Sequence, residues 1–317
     1  MATKKKINFG DKSSLIVLIA LIILLGLLEP AFATVNNAIN ILQQVTVVAI
    51  LALGVNIVIF TGGIDISVGA VVALSGIVLG KIVVDAGLPM FVGIVLSLLV
   101  ALFCGVFNGV MISKFKLQPM IATLAMQSMA RGLALTIAGG KTISGYPESF
   151  LYLGQGNVFG TKIPVQIVLM IALFIIFHFI MRYRKFGRYI YAIGGNEEAS
   201  RLSGINVDRY KILAYSISGL MAGVTSLVLV AKLNSAQPVA GLEYEMDAIA
   251  SCVIGGSSLL GGQGSVWGTF IGAIIIVIIR NGLNLMGISS NLQKFVIGLV
   301  ILLAVLADSF RNRKKLQ

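Results

Sequence analysis

The sequence predicts an all-α, polytopic membrane protein with about ten transmembrane helices. Hydrophobic residues make up 57% of the 317 residues, charged residues only 11%, and the mean hydropathy is +0.99. A soluble chain of this length needs far more charge to cover its surface. The formal net charge of +12 does not indicate a nucleic-acid-binding protein, because the basic residues lie between long apolar runs rather than on one polar face.

The apolar runs locate the predicted helices, because a helix needs about 20 apolar residues to span a bilayer. The run at 248–260 is short and rich in glycine, which predicts a broken or re-entrant segment that is buried in protein. Glycines four residues apart, such as Gly105 and Gly109, predict close packing between helices, since lipid gives helices no hydrophobic reason to associate. The predicted helices lie near residues 13–33, 43–60, 67–84, 90–113, 119–139, 163–181, 212–231, 248–260, 265–285 and 292–309.

The distribution of basic residues predicts the orientation in the membrane. An even number of spans places both termini on one side, and most of the 24 lysine and arginine residues fall on that side. The positive-inside rule therefore predicts that both termini are cytoplasmic. Lys4, Lys5 and Lys6, followed by the apolar run Leu15–Leu28, resemble a secretory signal peptide. Further apolar runs follow at once, so we expect this segment to be retained as the first helix.

Two long polar loops interrupt the apolar runs. Residues 140–162 carry little charge and are predicted to be periplasmic, whereas residues 182–211 are densely charged and are predicted to be cytoplasmic. The charged loop contains the beginning of a helix, since Asn196 can act as its N-cap and Gly204 can end it. A helix shorter than ~12 residues is unstable alone in water. This one therefore either belongs to a solvated loop or needs a partner surface.

A polar break at residues 61–69 separates two predicted spans and contains Asp65. A charge at membrane depth costs at least about 2.5–3.5 kcal/mol, so Asp65 must face a partner, water or a helix N-terminus. Capping of the helix that begins near Ser67 is one role open to Asp65, and a place in a solute pathway is another. Residues 261–268 resemble this stretch with one residue removed, which predicts an internal repeat.

Catalytic and nucleotide-binding patterns are not matched. Gly140-Lys141-Thr142 resembles the end of a phosphate-binding loop, but Leu135 stands where that loop requires glycine. His178 is the single histidine and lies in an apolar run, and the two cysteines, Cys104 and Cys252, lack metal-ligand spacing. The sequence therefore predicts no catalytic site and no metal site.

Transport and channel functions remain, together with two alternatives. A secondary transporter would use Asp65 or Arg131 for ion coupling and would need no docking helix. An enzyme within the membrane would require titratable groups that converge at one depth, and the 12 acidic residues are too scattered for that.

Several stretches spread along the chain carry a family resemblance: Asn40–Gln44, Gly63–Gly69, Ile121–Leu124, Phe186–Glu197, Arg201–Val207, Ser235–Pro238 and Asp247–Ala250. From about residue 40 to residue 308 the chain resembles the permease subunits of bacterial ABC importers for ribose and related monosaccharides, in the branched-chain amino acid/sugar permease family. Residues 188–207 and 233–238 favour the ribose branch.

The resemblance implies that the short helix of the charged loop couples the chain to an ATPase. In relatives the corresponding segment docks into a cleft of the ATPase subunit. Many permeases outside the ribose branch carry alanine where Ser200 stands, so a small residue is kept. The coupling residues implied are Asn196, Glu197, Glu198, Ala199, Ser200, Arg201 and Gly204.

The resemblance also implies the partners and the mechanism. Residues 1–317 form a single transmembrane permease domain that pairs with a second permease subunit, as a homodimer, in the cytoplasmic membrane. A cytoplasmic ABC ATPase subunit uses ATP, and a periplasmic or lipid-anchored binding protein delivers the sugar; no cofactor in this subunit and no nucleic acid is expected. Sugar crosses by alternating access. The candidates for lining its pathway are Asn56, Asp65, Asn108 and Gln127, each of which has interhelical hydrogen bonding as an alternative role.

Overall fold

A computed structural model describes the backbone of residues 9–316 and the side chains of residues 14–306 except Phe159. The described chain is all-α apart from two short strands, as predicted. Part of the basic charge that predicts the orientation, at Lys4, Lys5, Lys6 and residues 311–315, lies outside the range in which side chains are described. The helices are α1 (Phe9–Leu28), α2 (Val35–Phe60), α3 (Val68–Gly80), α4 (Met90–Ser113), α5 (Pro119–Ala138), α6 (Glu148–Gln155), α7 (Val165–Tyr183), α8 (Lys185–Gly195), α9 (Glu197–Leu202), α10 (Val207–Leu233), α11 (Tyr244–Ile254), α12 (Val266–Leu285) and α13 (Ser290–Leu316). The strands are β1 (Ile143–Ser144) and β2 (Ser235–Ala236).

Among the described residues, seven helices are long and apolar enough to cross a membrane. They are α2, α3 with the π-helical turn that extends it to Asp85, α4, α5, α7, α10 and α12. Helices α1 and α13 contain shorter apolar segments, Ser14–Leu28 and Ser290–Leu306. Helix α11 has 11 residues, at the place where the sequence predicts a broken segment.

The observed bounds differ from the predicted ones where polar residues cap a helix. Helix α2 begins at Val35, ahead of the predicted residue 43, because the Thr34 side chain accepts a hydrogen bond from the Asn37 N–H. Helix α10 begins ahead of the predicted residue 212 because Asn206 caps it in the same way. Helices α6 and α8 were not predicted, since neither contains an apolar run of membrane length.

Helix α2 forms the centre of the bundle. Every residue from Val45 to Phe60 is buried, so neighbouring helices enclose this part of α2 on all sides. Helix α10 packs on α2 and on α4. A side chain at Gly105 would overlap the Tyr215 backbone, and one at Gly109 would lie 2.7 Å from the Ile212 Cα. The predicted close approach through these two glycines is confirmed.

The bundle has two distinct ends. At one end lie α8 and α9, which we call the α9 end. At the other end β1 pairs antiparallel with β2, with Ile143 opposite Ala236, and we call this the β-sheet end. Helix α10 runs from α9 to β2 and therefore joins the two ends.

Candidate functional site

Two breaks in the helices meet at the α9 end of the bundle. The first break, residues 61–67, separates α2 from α3, and the second, residues 255–265, separates α11 from α12. The Gly262 N–H donates a hydrogen bond of 3.0 Å to the Phe60 carbonyl. Gly261 has a φ of +88°, and a Cβ there would lie 2.7 Å from the Gly62 nitrogen. The segments that resemble one another in sequence are thus in direct backbone contact.

Helix α8 packs against both breaks. A Cβ added at Gly194 would overlap the Phe60 carbonyl oxygen and the Gly262 nitrogen. On the same helix, the Tyr191 ring lies 4.7 Å from the Phe60 ring, measured between centroids, and its hydroxyl donates a 3.2 Å hydrogen bond to the Gly264 carbonyl. A shift of α8 therefore acts on both breaks together.

Asn56 links α2 to the second break. Its Oδ1 accepts a 2.8 Å hydrogen bond from the Ser257 hydroxyl, and its Nδ2 donates a 3.4 Å bond to the Ser265 carbonyl. The side chain is fully buried. Its contacts are those of interhelical hydrogen bonding, the alternative role that the sequence left open.

Asp65 is buried at the first break and is held by hydrogen bonds. One carboxylate oxygen accepts from the Ser67 N–H at 3.0 Å and from its hydroxyl at 2.6 Å, and the other accepts from the Ser218 hydroxyl at 2.8 Å. The Asn108 amide donates to the Ser67 hydroxyl at 2.9 Å. Asp65 and Asn108 therefore tie α3, α4 and α10 together just ahead of α3.

Gln127 lies apart from these three candidates. Its Nε2 donates a 3.0 Å hydrogen bond to Glu245 on α11, and nearby Arg131 donates to the carbonyls of Pro238 and Ala240. Glu245 is 6% exposed, and a Cβ at Gly69 would overlap its second carboxylate oxygen. Sequence reasoning missed Glu245, although an acidic residue in the first turn of a short broken helix is a signal that could have identified it.

Helix α9 has the cap predicted for it. The Asn196 side chain accepts a 2.9 Å hydrogen bond from the Ala199 N–H, and Gly204, with a φ of +81°, follows the last turn. Ser200 is buried, and its hydroxyl donates to the Asn196 carbonyl at 2.8 Å. The small residue at this position thus faces the bundle.

Ion pairs fix α9 to its neighbours. Glu197 pairs with Lys211 on α10 and, at 3.3 Å, with Arg201. Burial alone would raise the pKa of the Glu197 carboxyl, but its hydrogen bonds and ion pairs with Lys211 and Arg201 outweigh that and lower the pKa. Asp208 pairs with Arg201 at 3.3 Å and with Lys116 at 3.2 Å. This network joins α9 to α10 and to the segment after α4.

The outer face of α9 is open to solvent. Glu198 and Ala199 are exposed, and the Leu202 side chain is 85% exposed. A short helix that is capped and braced on one side presents an acidic group and an apolar group on the other. This face is chemically suited to contact another protein.

Among the described residues, no group of three or more His, Cys, Asp or Glu side chains is arranged to hold a metal ion. Cys104 and Cys252 are both free and buried.

Comparison with known proteins identifies the family. The family described as branched-chain amino acid transport system, permease component, matches residues 37–305. The ribose import permease protein of Haemophilus influenzae is 44% identical over 310 residues, covering 96% of this chain and 95% of that protein. The ribose import permease protein of Escherichia coli K12 is 45% identical, and the alignment covers 94% of each chain. The D-allose transport system permease protein of the same strain is 36% identical, and the alignment covers 96% of this chain and 94% of that protein. No solved structure matches the chain. This chain therefore belongs to the family of permease components of branched-chain amino acid transport systems.

Proposed function

We propose that this chain is the membrane-spanning subunit of an ATP-binding cassette importer that moves ribose, or a related monosaccharide, across the cytoplasmic membrane. Ribose import permeases of three bacteria are 44%, 45% and 43% identical to it over nearly the whole chain. The permeases named for D-allose and L-arabinose are each 36% identical. This difference favours ribose as the sugar.

The structural observation that carries the proposal is the exposed, braced face of α9. The coupling segment consists of Asn196, Glu197, Glu198, Ala199, Ser200, Arg201 and Gly204. In this proposal Asn196, Glu197, Ser200 and Arg201 hold the helix on the bundle, while Glu198 and Ala199, with Leu202 beside them, enter a cleft of the ATPase subunit. An isolated helix of this length would not be stable in water, so its bracing maintains a surface for a partner.

The proposed topology has about ten crossings with both termini in the cytoplasm. Helices α1 and α13 supply crossings beyond the seven long apolar helices. Helix α11, together with the irregular segment 255–265, makes one further crossing, which is tolerated because the segment is buried against α2 and α8. Loop 182–211 is then cytoplasmic and loop 140–162 periplasmic, within a single transmembrane domain of residues 1–317.

The proposed mechanism is alternating access in a pair of permease subunits. Two copies of this chain span the bilayer, and a periplasmic or lipid-anchored binding protein delivers the sugar to them. A pair of cytoplasmic ATPase subunits closes when ATP binds, and this closure pushes α9. No cofactor in this subunit is needed. Helix α8 directly precedes α9 and packs against both breaks, so the push reaches the buried hydrogen bonds of Asn56, Asp65 and Asn108. Their rearrangement opens the pathway, and Gln127 lies further along it.

Reconstitution tests the proposal. The chain is placed in liposomes with its ATPase subunit and its binding protein, and uptake of labelled ribose is followed with and without ATP. We expect uptake only with ATP and binding protein, and weaker competition by unlabelled allose or arabinose than by unlabelled ribose. Uptake that continues without ATP would instead indicate a secondary transporter.

A further inference from the structure

Four basic side chains lie at the junction of α7 and α8, at the α9 end of the bundle. All four are exposed, and we call them the junction patch: Arg182, Arg184, Lys185 and Arg188. A Cβ at Gly187 would overlap the Met181 carbonyl, so the start of α8 lies directly against the end of α7. The Arg188 guanidinium reaches back and donates a 3.3 Å hydrogen bond to the Tyr183 carbonyl. The last turn of α7 and the first turn of α8 therefore present one cationic surface.

Among the side chains that the structure describes, no acidic group neutralises the junction patch. None of its four cations takes part in an ion pair, and the first turn of α8 contains no acidic residue. By contrast, Lys116, Arg201 and Lys211 at the same end all pair with Asp208 or Glu197. The junction patch thus lacks a counter-charge from the described chain.

The junction patch lies at the depth of the lipid headgroups. Helix α7 has 19 residues, which at about 1.5 Å each span roughly 28 Å, close to the hydrocarbon thickness of ~30 Å. The end of α7 at Tyr183 therefore falls at a boundary between membrane and water. Phe179 and Tyr183 are exposed, and their rings stack with centroids 5.6 Å apart. Aromatic rings are enriched at this boundary, so the rings and the patch belong to the same interfacial surface.

We propose that the junction patch binds the headgroup of an anionic phospholipid whose acyl chains lie along α7. Arg182 and Arg188 can each donate paired hydrogen bonds to a phosphate group, and clustered cations at the membrane surface attract anionic lipid. Ile175, Ile176 and Phe179 are exposed on α7 and offer the acyl chains an apolar surface. An acidic protein would neutralise the cations but would leave these apolar side chains uncovered, which favours a lipid.

The bound lipid anchors the first turn of α8 at the membrane surface. The other end of the same helix, at Gly194, lies against Phe60 and Gly262 of the two breaks. With its start held, α8 passes a movement of α9 on to the breaks instead of shifting as a whole. This consequence rests on the proposed function, whereas binding of the lipid rests on the patch and its depth.

Trp267 reports binding directly. It is the single tryptophan of the chain, and its ring lies 6.0 Å from the His178 ring on α7. The purified chain is placed in phosphatidylcholine bilayers that contain increasing fractions of either phosphatidylglycerol or phosphatidylcholine with brominated acyl chains, which quench tryptophan fluorescence. We expect brominated phosphatidylglycerol to reach half of its quenching at a lower fraction than brominated phosphatidylcholine. This preference should weaken in high salt, because exposed charges are screened.

Removal of single cations locates the lipid. We expect Arg182→Gln and Arg188→Gln each to lower the apparent affinity for phosphatidylglycerol roughly fivefold, the ratio that corresponds to ~1 kcal/mol per cation at an anionic surface. If either variant does not fold, Lys185→Gln takes its place. The matched control is Lys114→Gln, because Lys114 is exposed at the same end but follows α4, which packs on α3, α5 and α10. The control should keep the affinity of the parent.

The outcomes separate the lipid site from the proposed function. Equal quenching by the two brominated lipids in the parent, or a preference that the glutamine variants retain, would overturn the lipid site. A loss of ATPase-subunit binding in variants that keep the lipid preference would overturn it too, since the patch would then serve a protein. In liposomes, phosphatidylglycerol should speed ATP-dependent ribose uptake by the parent more than uptake by Arg188→Gln. If the parent imports no ribose in either bilayer while the lipid preference holds, the proposed function fails and the lipid site stands.

Discussion

The contact between α8 and the two breaks makes a sharp prediction about Gly194. A Cβ at this position would overlap the Phe60 carbonyl oxygen and the Gly262 nitrogen, both of which are backbone atoms. Neither neighbour can turn away as a flexible side chain can, so Gly194→Ala must push α8 off the breaks. Overpacking of this kind typically costs about 1–3 kcal/mol.

The adjacent glycine provides a matched control. Gly195 lies on the same helix, and a Cβ there would meet nothing within 4 Å. Alanine within a helix is favoured over glycine by roughly 0.5–1 kcal/mol. We therefore expect Gly195→Ala to leave the free energy of unfolding unchanged or slightly raised, and Gly194→Ala to lower it.

Two measurements give the result. Unfolding of the purified chain in detergent reports the loss of stability, and the ratio of ribose imported to ATP hydrolysed in the reconstituted complex reports coupling. Gly194→Ala should lower both, because displaced α8 no longer transmits movement of α9 to the breaks. If the two alanine variants behave alike in both assays, the backbone contact of α8 does not exist as described and our account of coupling is refuted.

Two further predictions concern α9. Glu198→Arg should abolish binding of the ATPase subunit in a pull-down from detergent. It should have little effect on the stability of the isolated chain, since Glu198 is exposed and a first-turn charge is worth only about 0.3–1 kcal/mol. The control is Glu148→Arg, in the exposed first turn of α6 at the other end, and unchanged binding and uptake in Glu198→Arg would exclude the coupling role. The pKa of Glu197 is lowered in the folded chain. Glu197 therefore stabilises the fold above its ordinary pKa of about 4.3, and this contribution is lost as the pH falls through the lowered value. At neutral pH the free energy of unfolding of Glu197→Gln should thus be lower than that of the parent by about 0.2–1 kcal/mol. The difference should shrink as acid is added in a pH series of unfolding curves, and a difference that grows in acid would contradict the assigned pKa shift.

Local signals in the sequence predicted part of this structure well. The limits of α4 follow from an apolar run that starts after Pro89 and ends at Lys114, and the observed helix has the predicted bounds. The cap of α9 depends on one side chain and the backbone three residues later, so Asn196 alone indicated it. The broken character of the segment that contains α11 followed from its glycines. In each case the cause lies within a few residues of its effect.

Contacts between distant parts of the chain could not be predicted in this way. Arg280 is 33 residues from Asp247 along the chain, and the sequence gives no sign that they meet. Gly194 belongs to a polar loop in the sequence, and only the fold reveals that two breaks from separate regions lie against it. The hydrogen bond from Gln127 to Glu245 crosses 118 residues. Pairing of this kind is set by tertiary packing and not by local periodicity.

The segment 255–265 is the element that joins the two ends of the molecule mechanically. It is held at Gly262 by the Phe60 carbonyl and lies against Gly194 of α8. Its two flanking helices are α11, which carries Asp247, and α12, which carries Arg280. At 1.5 Å per helical residue, about 12 Å of helix and turn separates this segment from Asp247 and about 22 Å separates it from Arg280. Since both helices adjoin this segment, a push on α9 that moves the segment is transmitted to α11 and α12 together.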